Sequence, residues 1–276
     1  MLIVVTVVLG LLIGSFLNVV VARVPAGESV ASPPSRCPSC RTPIQPRDNL
    51  PVLSWLLLRG RARCCGTAIS RRYPLVEAGT GLAFGLVAAW VSANAAAAGW
   101  PLRGHGLFHP AAVVALVAFL FLAAVSIALA LIDIDVKRLP FWIVTPSWAV
   151  GAATLGGAAL LAGNRGGAVR MLLGGVGLWG IYRLLHAIYP RGMAYGDVRL
   201  AGLIGGYLAW LGWAPLAVGA FLGFLIGALG GVALIALRGA GLKTQIPYGP
   251  YMLAGTWIGL TAGAPIGQGY LNLFGL

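Results

Sequence analysis

The sequence predicts an all-α polytopic membrane protein of about eight transmembrane helices with one cytoplasmic cysteine-containing loop. Three observations predict it. Hydrophobic residues make up 59% of the chain, charged residues only 9%, and the mean hydropathy is +0.90. A soluble domain carries about 25% charged residues. Apolar stretches of bilayer-spanning length recur from one end to the other. The 19 Lys and Arg gather in the connections between them. The net charge of +13 collects on no helical face, so it reads as topogenic charge beside lipid headgroups and not as a nucleic-acid surface.

The spans read as 2–22, 74–98, 110–134, 140–163, 168–188, 198–214, 216–237 and 249–270. Met1 to Ala22 carries no charge, and the first cation, Arg23, follows it. A secretory signal begins basic, so this stretch reads as a retained helix with its N-terminus outside. Only Arg103, Arg165 and Arg170 fall on one side of the eight-span topology; the other sixteen Lys and Arg fall on the opposite side. Positive charge marks the cytoplasmic side. Both termini are therefore expected outside, and the chain divides into a first helix (1–22), a cytoplasmic cysteine loop (23–73) and a helical core (74–276).

The chain has six acidic residues. An ionisable group bordering a membrane helix is costly and marks a functional site. Asp197 opens the sixth span within Met193-Ala194-Tyr195-Gly196-Asp197-Val198-Arg199. Asp133 and Asp135 close the third within Leu131-Ile132-Asp133-Ile134-Asp135-Val136-Lys137-Arg138-Leu139-Pro140. Both ends are cytoplasmic by the charge count. At about 100° per residue, Asp133 and Asp135 point in opposed directions, so one of them meets Asp197. Asp133 is nearer the membrane and is the better partner. A bland account pairs Asp133 with Lys137 along the helix, but leaves Asp197 unexplained. The simplest chemistry for the pair is an aspartyl dyad that shares a proton and activates water.

The loop holds all four cysteines, Cys37, Cys40, Cys64 and Cys65. In a reducing compartment disulfides are disfavoured. Cys37-Pro38-Ser39-Cys40 followed by a second cysteine group resembles a zinc ribbon, with an unmetallated loop of free thiols as the alternative. Glu28 and Asp48 read as solvated. Asn18, inside the first span, reads as an interhelical hydrogen bond. Glu77 starts the second span, either to meet the helix dipole or to face the cavity of the aspartates. His105 and His109 read as solvated, and His186 as structural. Gly219, Gly223, Gly227 and Gly231 form a close-packing stripe, and Gly202, Gly205 and Gly206 a second one. Gln245-Ile246-Pro247-Tyr248-Gly249-Pro250-Tyr251 is a turn or a substrate-contacting connection.

Taken together, Gly14-Ser15-Phe16-Leu17-Asn18 with Arg23 and Pro25, the cysteine loop, Arg72-Tyr73-Pro74-Leu75-Val76-Glu77, Asp133 with Leu139-Pro140, Gly196-Asp197 with Arg199, and Ile246 to Tyr251 resemble the prepilin leader peptidases. These are GxGD-type aspartyl proteases of the bacterial inner membrane. The resemblance covers nearly the whole chain in order. It implies Asp133 and Asp197 as the catalytic pair, with Gly196, Arg199, Glu77, Pro247, Gly249 and Pro250 in supporting motifs. It implies prepilin or pseudopilin substrates cut at the cytoplasmic face. It also implies N-methylation of the new N-terminus from S-adenosylmethionine. Ala194 stands where the family's motif has its first glycine, Phe141 where an acid often follows Leu-Pro, and Ala62 where the second cysteine pair begins. A rival reading makes the two aspartates the proton relay of a transporter; it calls for acids nearer mid-membrane and for repeated halves.

Overall fold

The computed structural model describes residues 1–95, 100–102, 108–190, 192–238 and 246–275. Arg103, His105, Arg191, Lys243 and Gln245 lie outside the described residues. The helices follow in the order α1 (Leu2–Arg23), a short α2 (Leu53–Leu57) within the cysteine loop, α3 (Arg72–Asn94), α4 (Pro110–Val136), α5 (Phe141–Leu161), α6 (Arg165–Ile188), α7 (Tyr195–Leu211), α8 (Trp213–Arg238) and α9 (Gly249–Leu273). Among the described residues, six of the long helices are long and apolar enough to cross a membrane: α1, α3, α4, α5, α6 and α8. The polytopic, all-helical class is as the composition requires. The crossing criterion is met by six helices of the eight expected.

The two others differ for a physical reason. At 17 residues α7 is short, and twelve of its residues are buried. It is wrapped by protein and has little need of a lipid-facing surface. α9 carries Thr256, Thr261, Gln268 and Asn272, and Thr256 is fully buried with its hydroxyl donating to the Met252 carbonyl. Polar side chains satisfied by their own backbone lower its hydropathy without leaving a buried group unpaired.

The chain forms two compact units: Met1–Trp90 with Ala123–Ala128, and Val91–Leu122 with Leu129–Leu276. In the first unit α1 packs on α3 through its glycines. A Cβ at Gly10 would lie 2.8 Å from the Gly81 Cα, and one at Gly14 2.7 Å from the Glu77 Cα. Asn18 Nδ2 donates to the Tyr73 carbonyl at 3.2 Å, the interhelical hydrogen bond expected of it.

In the second unit α7 is the central element. Tyr207, Trp210 and Phe119 stack edge to face, and the Tyr207 hydroxyl and Trp210 Nε1 donate to the carbonyls of Ala118 and Leu155. Each ring thus keeps its polar handle satisfied inside the apolar packing. α6 approaches α7 through Gly174, Gly175 and Gly205; α8 approaches α9 through Gly219, Gly223 and Gly255. Both small-residue stripes read from the sequence therefore sit at helix–helix contacts.

The glycine contacts carry a prediction of opposite signs. A Cβ at Gly255 would fall against the Gly223 backbone, whereas one at Gly177, on α6, meets nothing within 4 Å. Gly255→Ala should lower the thermal midpoint in detergent, at a cost of about 1–3 kcal/mol. Gly177→Ala should raise it slightly, by about 0.5–1 kcal/mol, through helix propensity. Thermal scans of the two variants beside the parent check both signs.

Candidate active site

Asp133 lies in the last turn of α4, which ends at Lys137 in the left-handed conformation, its amide donating to the Asp133 carbonyl at 2.8 Å. A carboxylate at the C-terminal end of a helix meets an unfavourable dipole. Its compensation comes from another helix. The Gly249 amide, at the first position of α9, donates to Asp133 Oδ2 at 2.9 Å. The positive end of α9 therefore faces Asp133. The Lys137 side-chain pairing considered for Asp133 is replaced by this backbone bond. Asp133 is 4% exposed and Asp135 is exposed, as their angular separation on the helix requires.

Asp197 is the third residue of α7, whose N-cap is Ala194. Its carboxylate hydrogen-bonds the Ala194 backbone, the acidic half of a capping box. It is 6% exposed, and the charge of Asp133 acts on it directly. Two buried carboxylates, each met by the amide at a helix N-terminus, therefore share one region of the second unit.

Glycines and Leu139 set the spacing. Leu139 packs against Gly196 and Gly249: a Cβ at Gly196 would lie 2.9 Å from Leu139 Cβ, and one at Gly249 would lie 3.2 Å from Leu139 Cδ2 and 2.9 Å from Asp133 Oδ2. The connection ending at Tyr248 is thus more than a turn. Pro250 stands in the first turn of α9, where a missing amide is tolerated. Pro247 precedes this turn. Arg199 lies over the rings of Tyr195 and Phe141, 4.9 and 5.4 Å from their centroids, and its carbonyl accepts from Trp148 Nε1. Phe141 thus holds the Arg199 side chain by its ring face, with no acid needed at that position.

Tyr182 escaped the sequence reading, and Tyr248 entered it only as part of the 245–251 connection. The Tyr182 and Tyr248 hydroxyls are 3.3 Å apart, and both interact electrostatically with Asp197. Tyr182 sits mid-helix in an apolar run, where nothing marks it. His186 is structural, its Nδ1 2.8 Å from the Met193 carbonyl. His109, expected to be solvated, instead caps α4 by accepting from the Ala111 amide at 3.3 Å.

The first unit holds Glu77 and the cysteines. Glu77 is the sixth residue of α3, beyond the first turn, so the dipole account fails for it. Its carboxylate accepts from the Val52 amide at 2.7 Å and from the Ser15 hydroxyl, and it lines a cavity of about 820 Å³ within this unit. Asp48, expected to be solvated, is paired with Arg63 at 2.9 Å.

The four cysteine Sγ atoms lie within 4.8 Å of one another. A tetrahedral zinc site built from four thiolates has sulfurs about 3.8 Å apart, so a small contraction completes it. The arrangement comes from a repeated turn. Cys37 pairs its amide with the Thr42 carbonyl and its carbonyl with the Arg41 amide; Ala62 does the same with Thr67 and Gly66. Arg41 and Gly66 both have positive φ. Cys40 and Cys65 each lie 3.2 Å from the hydroxyl of the following Thr42 or Thr67. Ala62 thus occupies the place of Cys37 and offers no sulfur. Cys64 supplies it instead, 3.2 Å from Cys40 and 3.8 Å from Cys65. Adjacent cysteines are poor co-ligands in one turn; here only Cys65 holds the ordinary turn position, and Cys64 reaches across. The repeated Arg-x-x-x-Cys-x-Thr of 36–42 and 61–67 is the sequence signal for this. Thr42 draws the Cys40 thiol down to about 6, Thr67 lowers that of Cys65, and donating a hydrogen bond to Cys40, with desolvation, pushes Cys64 up to about 12. The cluster is a set of donors able to bind a metal ion.

The family model of the bacterial peptidase A24 N-terminal domain matches residues 8–91, and that of the type IV leader peptidase family matches 120–232. The prepilin leader peptidase/N-methyltransferase of Pseudomonas aeruginosa is 36% identical, over 98% of this chain and 93% of the relative. That of Stutzerimonas stutzeri is 34% identical over 96% and 92%, and that of Neisseria gonorrhoeae 34% over 92% and 88%. No solved structure matches the chain. With matches in both units and relatives aligned along nearly their full length, the chain belongs to the type IV leader peptidase family.

Proposed function

We propose that this protein cleaves the leader peptide of prepilins or pseudopilins at the cytoplasmic face of the inner membrane, and then N-methylates the new N-terminus. The observation that carries the proteolytic reading is the pair Asp133 and Asp197, buried, electrostatically coupled, and each met by an amide at a helix N-terminus. Such a pair holds one proton between two carboxylates. One carboxylate takes a proton from water as it attacks the scissile carbonyl; the other donates a proton to the departing amine. The Gly249 amide fixes one oxygen of Asp133 and leaves the other for water. The charge count supports a cytoplasmic site and both termini outside. The transporter reading finds no support, since both acids sit at helix ends in one place.

The test is cleavage of a co-expressed prepilin, read as a mobility shift. Asp133→Asn and Asp197→Asn should each lose about 100-fold or more, with Asp135→Asn cutting like the parent. Parental cleavage by either of the first two variants would overturn the assignment. Gly249→Ala probes the positioning of Asp133: its Cβ meets Oδ2. We expect about a tenfold or greater fall in the cleavage rate, with the thermal midpoint near that of the parent.

Zinc on Cys37, Cys40, Cys64 and Cys65 is the structural part of the proposal; when bound it cross-links the two turns of the loop. The purified protein should carry one equivalent of zinc by mass spectrometry. Cys64→Ser should lose it and lower the thermal midpoint. Retention of a full equivalent by Cys64→Ser would exclude that residue as a ligand.

A further inference from the structure

The cysteine loop is rich in arginine, yet its middle is the apolar run Leu53-Ser54-Trp55-Leu56-Leu57-Leu58, with Arg47 before it and Arg59 and Arg61 after it. The run folds as α2, a helix of five residues. A helix that short has no stability of its own in water, so packing must hold it. Its two faces are packed differently. Ser54, Trp55 and Leu58 line the cavity of the first unit. The Ser54 hydroxyl donates to the Arg47 carbonyl, and Trp55 Nε1 to the Ile69 carbonyl. Leu53, Leu56 and Leu57 fall on the other face, at i, i+3 and i+4, and are 50%, 58% and 72% exposed. Neighbouring leucines turned outwards and flanked by charge mark an interaction surface.

What covers that surface follows from its place. The loop leaves α1 at Arg23 and enters α3 at Arg72, and both helices are long and apolar enough to cross a membrane. A third tie holds the middle of the loop. The amide of Val52, the residue before α2, donates to Glu77 at 2.7 Å. Glu77 is the sixth residue of α3, which puts its backbone about 7.5 Å along the axis from Arg72. Its side chain leans back towards the start of the helix. α2 therefore begins level with the first turns of α3, at the depth of the headgroups. Arg71 and Arg72 at that helix start, and Arg47, Arg59 and Arg61 on either side of α2 in the chain, are all exposed. Long cationic side chains at this depth suit anionic headgroups.

We propose that α2 is an interfacial anchor. Leu53, Leu56 and Leu57 enter the boundary between headgroups and acyl chains of the protein's own bilayer, and the flanking arginines meet anionic lipid. The cysteine loop is thereby seated on the membrane surface. Five residues are too few to hold a free peptide on a bilayer. They suffice for a loop whose two ends are already fixed there, because tethering makes the contact intramolecular. The proposal is independent of the aspartate pair and of any metal on the thiols.

The experiment uses the full chain in nanodiscs of phosphatidylcholine and phosphatidylglycerol. The photoreactive residue p-benzoylphenylalanine is placed at position 57 and, in a second sample, at position 82, where Leu82 is exposed on the apolar run of α3. After irradiation the adducts are read by mass, with position 82 calibrating the yield on lipid. A lipid adduct at position 57 of comparable yield is expected. An adduct at 82 with none at 57, or crosslinking of 57 to a second copy of the chain or to added prepilin in place of lipid, overturns the proposal. Limited trypsin digestion reads the same contact without a probe. Leu56→Asp with Leu57→Asp should speed cutting after Arg59 and Arg61 about tenfold or more in these discs. Thermal scans establish that the double variant folds; its altered side chains face away from the protein. Cutting at the parental rate in the folded double variant also overturns the proposal, and where that variant does not fold the crosslinking decides. Discs of phosphatidylcholine alone should speed cutting of the parent, and equal protection in both lipids overturns the part given to the arginines.

Discussion

A carboxylate can be kept among apolar helices only where backbone amides meet it, and the second unit is arranged around that constraint. Asp197 uses the N-cap amide of its own helix, as the third residue of α7. Asp133 has the wrong helix end for this and uses the first amide of α9. Both solutions rely on helix N-termini, which carry unsatisfied donors and a positive dipole end. Leu139 between Gly196 and Gly249 then sets how closely the two ends approach. A side chain on either glycine would push against Leu139, and on Gly249 against the carboxylate as well. The motif glycines are small because two helix ends and a leucine occupy the same space.

The cysteine loop solves a different problem with the same economy. A loop of some fifty residues has little apolar core of its own. Its order comes from a turn used twice, at 36–43 and 61–68, each closed by an isolated bridge. Trp55 closes off the second turn by packing on Gly60 and donating to the Ile69 carbonyl. Once the turns face each other, the sulfur needed at the empty Ala62 position can come from Cys64, because four thiols converging on one point matter more than their spacing along the chain.

Much of this is legible in the sequence, and what is not has identifiable causes. The all-helical, polytopic class follows from hydropathy, because water is absent from the bilayer and apolar length is the dominant signal, while α7 and α9 fall outside the six helices that meet the crossing criterion. That Asp133 and Asp135 face apart follows from helical angle, the choice of Asp133 from its depth in the span, and the buried and exposed states of the two agree with both. The Gly249 amide is invisible because a backbone donor leaves no residue-type signature. Tyr182 is invisible because its neighbours are apolar, and a tyrosine in such a run reads as packing. The dipole account of Glu77 fails because α3 starts at Arg72, some residues before the apolar run begins. The solvated reading of Asp48 fails because its partner Arg63 is fifteen residues away, beyond any local pairing rule.

The two units thus bury carboxylates in opposite ways, and the contrast bears on what each carboxylate can do. The aspartates are compensated by helix ends that belong to the protein, so the pair is held in place by the fold itself. Glu77 has only a loop amide and a hydroxyl. That is enough to place it, and too little to offset a full buried charge. A group compensated by its own fold is suited to chemistry on a neutral amide.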